Sequence, residues 1–387
     1  MSARERRLKE LREEIGEVTP AEANELVDQG GLLIDVREPE EIAEGSPTSA
    51  LRISRGWLEL QIERQVPDTD RTLLVLCSGG TRSLFAADGL RRLGYSHVRS
   101  VSGGFNRWKD EGLAFEIPRV LDADARARYA RQISLPEIGA EGQARLAGSR
   151  VLLIGAGGLG SPAAMYLAAA GVGTLGIVDH DTVDRSNLQR QILHTDAAVG
   201  TPKVESARHT LNALNPGVEV LGIEEHLTSD NIERIFEGYD VIVDGSDNFP
   251  TRYLVNDACV RLSLPNVHGA VFRFDGQASV FWPGGPHGGP CYRCLYPEPP
   301  PPDQAPSCAE AGVMGVLPGL IGTLQALEAL KILLDKGQPL VGRLLCFDGL
   351  GGEFRELRVR QDPACAWCAT DGDVPAYIDY ERFCAAG

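Results

Sequence analysis

No uninterrupted apolar run approaches the roughly 20 residues that a bilayer crossing requires. The opening segment from Met1 to Glu14 is charged and Leu-spaced and carries no apolar signal core. No spanning helix and no secretory leader is read, so the cytoplasm is the expected compartment and no membrane is expected as a partner. Clustered basic residues are missing as well. With 54 acidic against 38 basic side chains the net charge is −16, and no basic patch is evident that would hold a nucleic-acid backbone. Nucleic acid is therefore not an expected partner. The composition of a disordered or fibrous chain is absent too, since 43% of residues are hydrophobic and 24% charged, as in globular proteins. Nine cysteines are present, but without a leader they make a poor disulfide framework, which turns attention to metal binding and catalysis.

A length of 387 residues suits two or three domains at roughly 150 residues each. Residues 32–36 and 73–76 are apolar runs of strand length, and a helical stretch follows the second. Pro118 and a charged, Ala/Arg-rich segment at 122–131 then precede a new strand at 151–154. The boundary is placed near residue 120, with domains at 16–118 and 122–387. The second region alternates strand, turn and helix, with strands at 151–154, 175–178, 218–220 and 241–244. That alternation predicts an α/β fold with a parallel sheet covered by helices. Residues 297–308, PEPPPPDQAPSC, exclude regular helix and central strand and predict an extended loop. Leu320, Leu324, Leu327, Leu330 and Leu334 recur at helical spacing and predict a core-facing stripe.

After the strand at 151–154 come Gly155, Ala156, Gly157, Gly158, Leu159 and Gly160, opening into an Ala-rich helix. Glycines there let backbone amides approach a phosphate at a helix N-terminus. Asp179 lies 24 residues beyond Gly155, near the spacing of the acid that holds a nucleotide ribose. A dinucleotide dehydrogenase shares this much. Arg190 and Lys203 separate the readings, because an enzyme that breaks the α-phosphate bond of ATP must neutralise charge on the departing pyrophosphate. Asp247, just after the strand at 241–244, is placed to hold Mg²⁺.

The stretch from about Tyr129 to Cys368 carries the strings RYARQISL, GAGGLGSPAA, SNLQRQILH, VGTPKVESA, DGSDNFPTRYLVN, GPCYRCLYPEPPP and SCAEAGVMG. On them the chain resembles the molybdopterin-synthase and thiazole-carrier adenylyltransferases, relatives of the ubiquitin-activating enzymes. The resemblance implies a Rossmann-like, ubiquitin-activating-enzyme-type α/β domain. It also implies that Gly155, Gly157, Gly158, Gly160, Asp179, Ser186, Asn187, Leu188, Gln189, Arg190, Lys203, Asp247 and Asn248 surround ATP and Mg²⁺. Arg131 resembles an arginine that reaches the ATP of a neighbouring subunit, which implies a homodimer. His180 departs from the aromatic more frequent at that place.

Cys291-x-x-Cys294 and Cys365-x-x-Cys368 supply two thiolate pairs separated by 70 residues, wider than a compact zinc finger. Four thiolates suit tetrahedral Zn²⁺ that would pin the C-terminal tail, a structural site that the resemblance also implies. The alternative is unrelated core or redox cysteines. In the resembling family the thiol at Cys308 can bond covalently to the carrier or its sulfur; otherwise it lines the site. Cys259, Cys346 and Cys384, among apolar or aromatic neighbours, read as buried structural thiols.

Cys77 comes immediately after the strand at 73–76 and opens the loop Cys77-Ser78-Gly79-Gly80-Thr81-Arg82-Ser83. Amides of such a loop form an anion nest and Arg82 adds a cation, so a thiolate able to carry persulfide sulfur is expected. With Asp35-Val36-Arg37-Glu38-Pro39 and residues 103–108, GGFNRW, the loop resembles the rhodanese family over about residues 16–118. The string at 44–50, EGSPTSA, lacks the histidine common there, a departure that touches donor recognition.

Together these readings imply ATP-dependent adenylation of the C-terminal glycine of a small, Gly-Gly-ended, ubiquitin-like sulfur carrier. Sulfur from thiosulfate or a cysteine desulfurase would pass through a Cys77 persulfide to give a thiocarboxylate. A carrier of the molybdopterin-synthase small-subunit type is the first expectation. A thiazole-pathway carrier, or a ubiquitin-like modifier activated for conjugation, is the alternative. A nucleotide sensor without turnover and a dehydrogenase belong to other classes. The Arg190, Lys203 and Asp247 set disfavours the former, and absence of bound NAD would exclude the latter.

Overall fold

The computed structural model describes residues 2–117, 121–286, 288–300, 312–369 and 374–385. Two compact units divide between Val120 and Leu121.

In the first unit the strands are β1 (Glu17–Val18), β2 (Leu32–Asp35), β3 (Ser46–Pro47), β4 (Leu51–Arg52), β5 (Leu73–Leu76), β6 (Val98–Val101) and β7 (Phe115–Glu116). Five form a parallel sheet in the order β1-β6-β5-β2-β4, and β3 pairs antiparallel with β7. Every residue of β5 is buried, which is why its sequence reads as an unbroken apolar run rather than an alternation. One core layer joins Leu11 and Ile15 of an N-terminal helix to Ile34, Val75, Leu84 and Leu90; the other joins Leu33, Leu74, Phe105 and Trp108.

The second unit holds β8 (Arg150–Ile154), β9 (Thr174–Val178), β10 (Glu219–Ile223), β11 (Val241–Asp244), β12 (Asn266–Phe272), β13 (Asp275–Phe281), β14 (Arg343–Asp348) and β15 (Glu353–Arg358) in one sheet ordered β10-β9-β8-β11-β12-β13-β14-β15. The first five strands are parallel and the last three turn antiparallel. Strand order reverses between β8 and β11, and the crevice at such a reversal, beyond the strand C-termini, is where open α/β sheets bind ligands.

The leucine stripe meets its expectation in part. On the helix Val316–Leu334 the buried face is centred on Leu317, Ile321, Gln325, Glu328 and Ala329; of the stripe, Leu334 is buried, Leu324 and Leu330 pack partly buried against the same core, and Leu327 is 51% exposed. By length and composition this helix matches a membrane span, yet it packs on β12 and β13 and on the helix Gly160–Ala170. Its buried polar groups show why that packing wins: Gln325 Nε2 donates to the carbonyls of Asp244 and Val267 at 2.7 and 2.9 Å, and Glu328 accepts from Leu340 N at 2.7 Å. The core accommodates Gln325 because it satisfies two sheet carbonyls and Glu328 because it accepts from the Leu340 amide, so a search for leucines alone captures only part of the buried face.

Candidate active site

β8 runs out at Ile154, and the chain turns at Gly155 with φ +92°, which an L side chain adopts only under strain. Gly160 answers to packing. A Cβ there would fall 1.9 Å from the Gly155 carbonyl oxygen, so the helix Gly160–Ala170 starts tight on the loop. His194 fixes the loop from behind. Its Nε2 meets the Ala156 carbonyl and its Nδ1 meets Ser206 Oγ, both at 2.9 Å. The carbonyl only accepts, so Nε2 carries the proton and Nδ1 accepts from Ser206; burial lowers the pKa of this ring and keeps it neutral.

The result is a concave cleft, half open to solvent, beyond the strand ends. Gly155, Gly157, Gly158, Asp179, Arg190, Lys203, Asp247 and Asn248 line it. Asp179 follows β9 directly and accepts from Ala156 N at 2.8 Å. Lys203 begins the helix Lys203–Leu214, with its ammonium 2.7 Å from Asp181 and 3.8 Å from Asp179. Arg190 is steadied by Asn187, whose Oδ1 accepts from Nη2 at 2.8 Å. The far wall is the loop after β11. There Asp244 Oδ1 accepts from Ser246 N and Oγ at 3.0 and 2.6 Å, and Asn248 Oδ1 caps the next helix by accepting from Thr251 N at 2.9 Å.

Several expected contacts stand off the wall. Gly160, Ser186, Asn187, Leu188 and Gln189 do not line the cleft. Ser186 is tied to Asp184, and the Gln189 carbonyl lies against Gly315. Arg131 is exposed on the short helix Ala130–Ile133, outside its own chain's cleft. Cys308 lies outside the described residues. Asp181, Gln191, Glu225, His226 and Ser246 also line the cleft. The Asp-x-Asp spacing after β9 was the available signal for Asp181, whereas residues 225–226 come from the segment after β10, which carries no motif.

Cys291, Cys294, Cys365 and Cys368 converge, with their Sγ atoms all within 4.8 Å of one another. Sulfur separations of 3.8, 3.6 and 3.3 Å compare with about 3.8 Å across a tetrahedron of Zn–S bonds near 2.3 Å, so the donor set fits zinc. Between the first two, Arg293 points into the core and forms a bidentate pair with Asp257 at 2.8 and 2.7 Å. Tyr380 of the C-terminal segment donates to the same carboxylate at 2.8 Å, and Trp367 and Phe383 stand 4.8 and 5.0 Å from the guanidinium. Of the other thiols, Cys259 is buried while Cys346 and Cys384 are half-buried.

In the first unit Cys77 follows β5, and its Sγ lies 3.4 Å from Ser83 N and Ser83 Oγ. The loop is fastened from above, because Phe105 N donates to the Cys77 carbonyl at 2.7 Å and Asn106 N to that of Ser78 at 3.1 Å. Gly104 has to be glycine, since a Cβ would sit 2.0 Å from the Cys77 carbonyl oxygen. Arg82 does not stand as a free cation beside the thiol. Glu41 takes it bidentately at 2.6 Å on both oxygens, and this pairing holds the Glu41 carboxyl down to about 2. The Asp35-Val36-Arg37 string is architectural, with Arg37 buried on Asp35 at 2.6 Å. Within the string at 44–50, Ser46 is fully buried and donates to Asp35 at 2.8 Å, while Glu44, Thr48 and Ser49 are exposed.

Comparison with known proteins agrees with this geometry. Residues 129–367 match the ThiF family and residues 19–111 the rhodanese-like domain. A sulfur carrier protein adenylyltransferase from Thermus thermophilus is 54% identical over 259 residues, covering 66% of this chain and 96% of that protein. An adenylyltransferase and sulfurtransferase MOCS3 from Aedes aegypti is 50% identical over 266 residues, covering 68% and 60%. The crystal structure of E. coli MccB with ATP superposes with a TM-score of 0.55 over 63% of this chain and 75% of that one, at 21% identity, a likeness of fold. With its cleft at the sheet reversal and a rhodanese-like domain ahead of it, the chain belongs to the ThiF family, as an ATP-using adenylyltransferase fused to a sulfurtransferase-type domain.

Proposed function

We propose that the second unit adenylates the C-terminal glycine of a small, Gly-Gly-ended, ubiquitin-like sulfur carrier, and that Cys77 supplies the sulfur that turns the product into a thiocarboxylate. The observation that carries the reading is the convergence of Arg190, Lys203 and Asp247 on one cleft with the glycine loop. A carboxylate oxygen of the carrier attacks the α-phosphorus, the bond to the bridging oxygen breaks, and pyrophosphate leaves with the electron pair. The attacking group is already ionised at neutral pH, so no general base is needed. Catalysis is then positioning and charge stabilisation, with Arg190 and Lys203 facing the charge that develops on the leaving group.

Asp247 would hold Mg²⁺, which when bound screens the triphosphate charge. Asp179 is assigned to the ribose. The four clustered cysteines would hold a structural Zn²⁺. Arg131, exposed on its own chain, is assigned to the cleft of a second copy in a homodimer, and Cys308 to a covalent link with the carrier. The sulfur donor is thiosulfate or a cysteine desulfurase, and a cytoplasmic setting suits the free thiols. A carrier of the molybdopterin-synthase small-subunit type remains the first candidate. Carrying both activities on one chain raises the local concentration of donor at the labile acyl-adenylate.

The test is carrier-dependent exchange between ATP and labelled pyrophosphate. Asp247→Ala is expected to abolish exchange while circular dichroism and melting stay those of the parent. Undiminished exchange would remove Asp247 from the metal role.

A further inference from the structure

Lys203 reaches the cleft with a partner that the reaction as described does not use. Its side chain is 6% exposed, whereas that of Asp181, which it meets at 2.7 Å, is 55% exposed. The backbone fixes the pair. Lys203 N donates to the Asp181 carbonyl at 2.9 Å, Val183 N to Thr201 at 2.8 Å and Gly200 N to Val183 at 2.9 Å, with Thr182 and Pro202 bridged antiparallel. This short ladder sets the two side chains opposite each other before any nucleotide arrives.

The neighbouring carboxylate cannot replace Asp181. Asp179 is 8% exposed, lies 3.8 Å from the ammonium, and is already engaged by Ala156 N at 2.8 Å and Asp181 N at 2.9 Å. His194 faces Lys203 from behind the glycine loop, and His180 touches Asp181 at 3.5 Å. Arg190, Glu225, His226 and Asp247 stand elsewhere on the wall. Among these groups Asp181 alone is both in hydrogen-bond contact with the ammonium and open to water. A buried lysine without such a partner shifts toward its neutral form. An exposed carboxylate that is released to solvent regains its hydration at little cost.

We infer that Asp181 is a positioning residue that keeps Lys203 charged and aimed into the cleft before ATP binds, and yields it to the triphosphate on binding. The inference rests on the adenylation reading for its purpose, but the state of Lys203 can be measured without it. The full chain and its Asp181→Asn and Asp181→Glu variants are labelled across pH with an amine-acylating reagent, and Lys203 is read by peptide mass spectrometry against the other lysines. The midpoint of Lys203 labelling should fall by about one pH unit or more in Asp181→Asn and return toward the parent in Asp181→Glu. A faster plateau with an unchanged midpoint reports access alone and overturns the inference.

In exchange assays, Asp181→Asn should lower kcat about tenfold, increasingly so as pH rises, with no increase in the KM for ATP. Equal kcat across pH would also overturn it. Absence of exchange in the parent would overturn the adenylation reading instead, while the labelling midpoint would still decide the role of Asp181.

Discussion

His268 Nδ1 sits 3.1 Å from Asp244 Oδ2, with the two side chains 2% and 1% exposed, directly beneath the loop that presents Asp247. Desolvation lowers the pKa of His268; burial pushes that of Asp244 up, but the interactions with His268, Arg252 and the Ser246 hydroxyl outweigh it and hold it below the ordinary value. The pair thus ties the cleft wall to protonation in the core.

The sign of the pH dependence follows. His268 and His194 have folded pKa values below the ordinary 6.5, so below that value the unfolded chain takes up protons that the folded one refuses. Their contribution is complete above pH 6.5 and is lost as pH falls; Asp244, lowered from 3.8, adds a second loss below that value. The melting temperature of the second unit should decline between pH 7.5 and pH 5, and His268→Gln should flatten the decline. A melting temperature constant over that interval would contradict it.

Cys77→Ala should eliminate thiosulfate:cyanide sulfurtransferase activity and leave carrier-dependent pyrophosphate exchange intact, because the two sites lie in separate compact units. Both rates are measured on the same preparation. Loss of both activities would show that the units do not work independently.

Freshly purified protein should contain one zinc per chain, and Cys365→Ser should release it. Arg293→Met leaves Asp257 buried without its cation, a defect of about 3 to 5 kcal/mol, and should expose the segment 374–385 to proteolysis, since Tyr380 and Phe383 pack on that pair. Metal analysis and limited proteolysis check both parts. Protein free of zinc, or an Arg293→Met tail as resistant as the parent, would refute the pinning.

Much of the site was legible because its residues lie next to strand ends in short strings: Gly155, Asp179 and Asp247 each fall at or just beyond the C-terminus of a parallel strand. Glu41 could not be read as the partner of Arg82, since 41 positions separate them and only the packing of the helix Pro39–Ile42 brings them together. The antiparallel end of the second sheet was silent for another reason. β15 is exposed along its whole length, so no alternation of apolar and polar residues marks it as a strand. The face of the helix Val316–Leu334 was only partly legible, because Gln325 and Glu328, polar by type, are buried at its centre to satisfy backbone groups.

The central claim is that one chain both activates a carrier and delivers sulfur to it. The most direct measurement is intact-mass spectrometry of a Gly-Gly-ended carrier after incubation with the full chain, ATP, Mg²⁺, thiosulfate and a thiol reductant, which supplies the two electrons that free the thiocarboxylate from its acyl disulfide with Cys77. The account predicts exchange of one carboxylate oxygen for sulfur, lost in both Asp247→Ala and Cys77→Ala. A carrier recovered unchanged, or joined through its terminus to another protein with no sulfur gained, would contradict it.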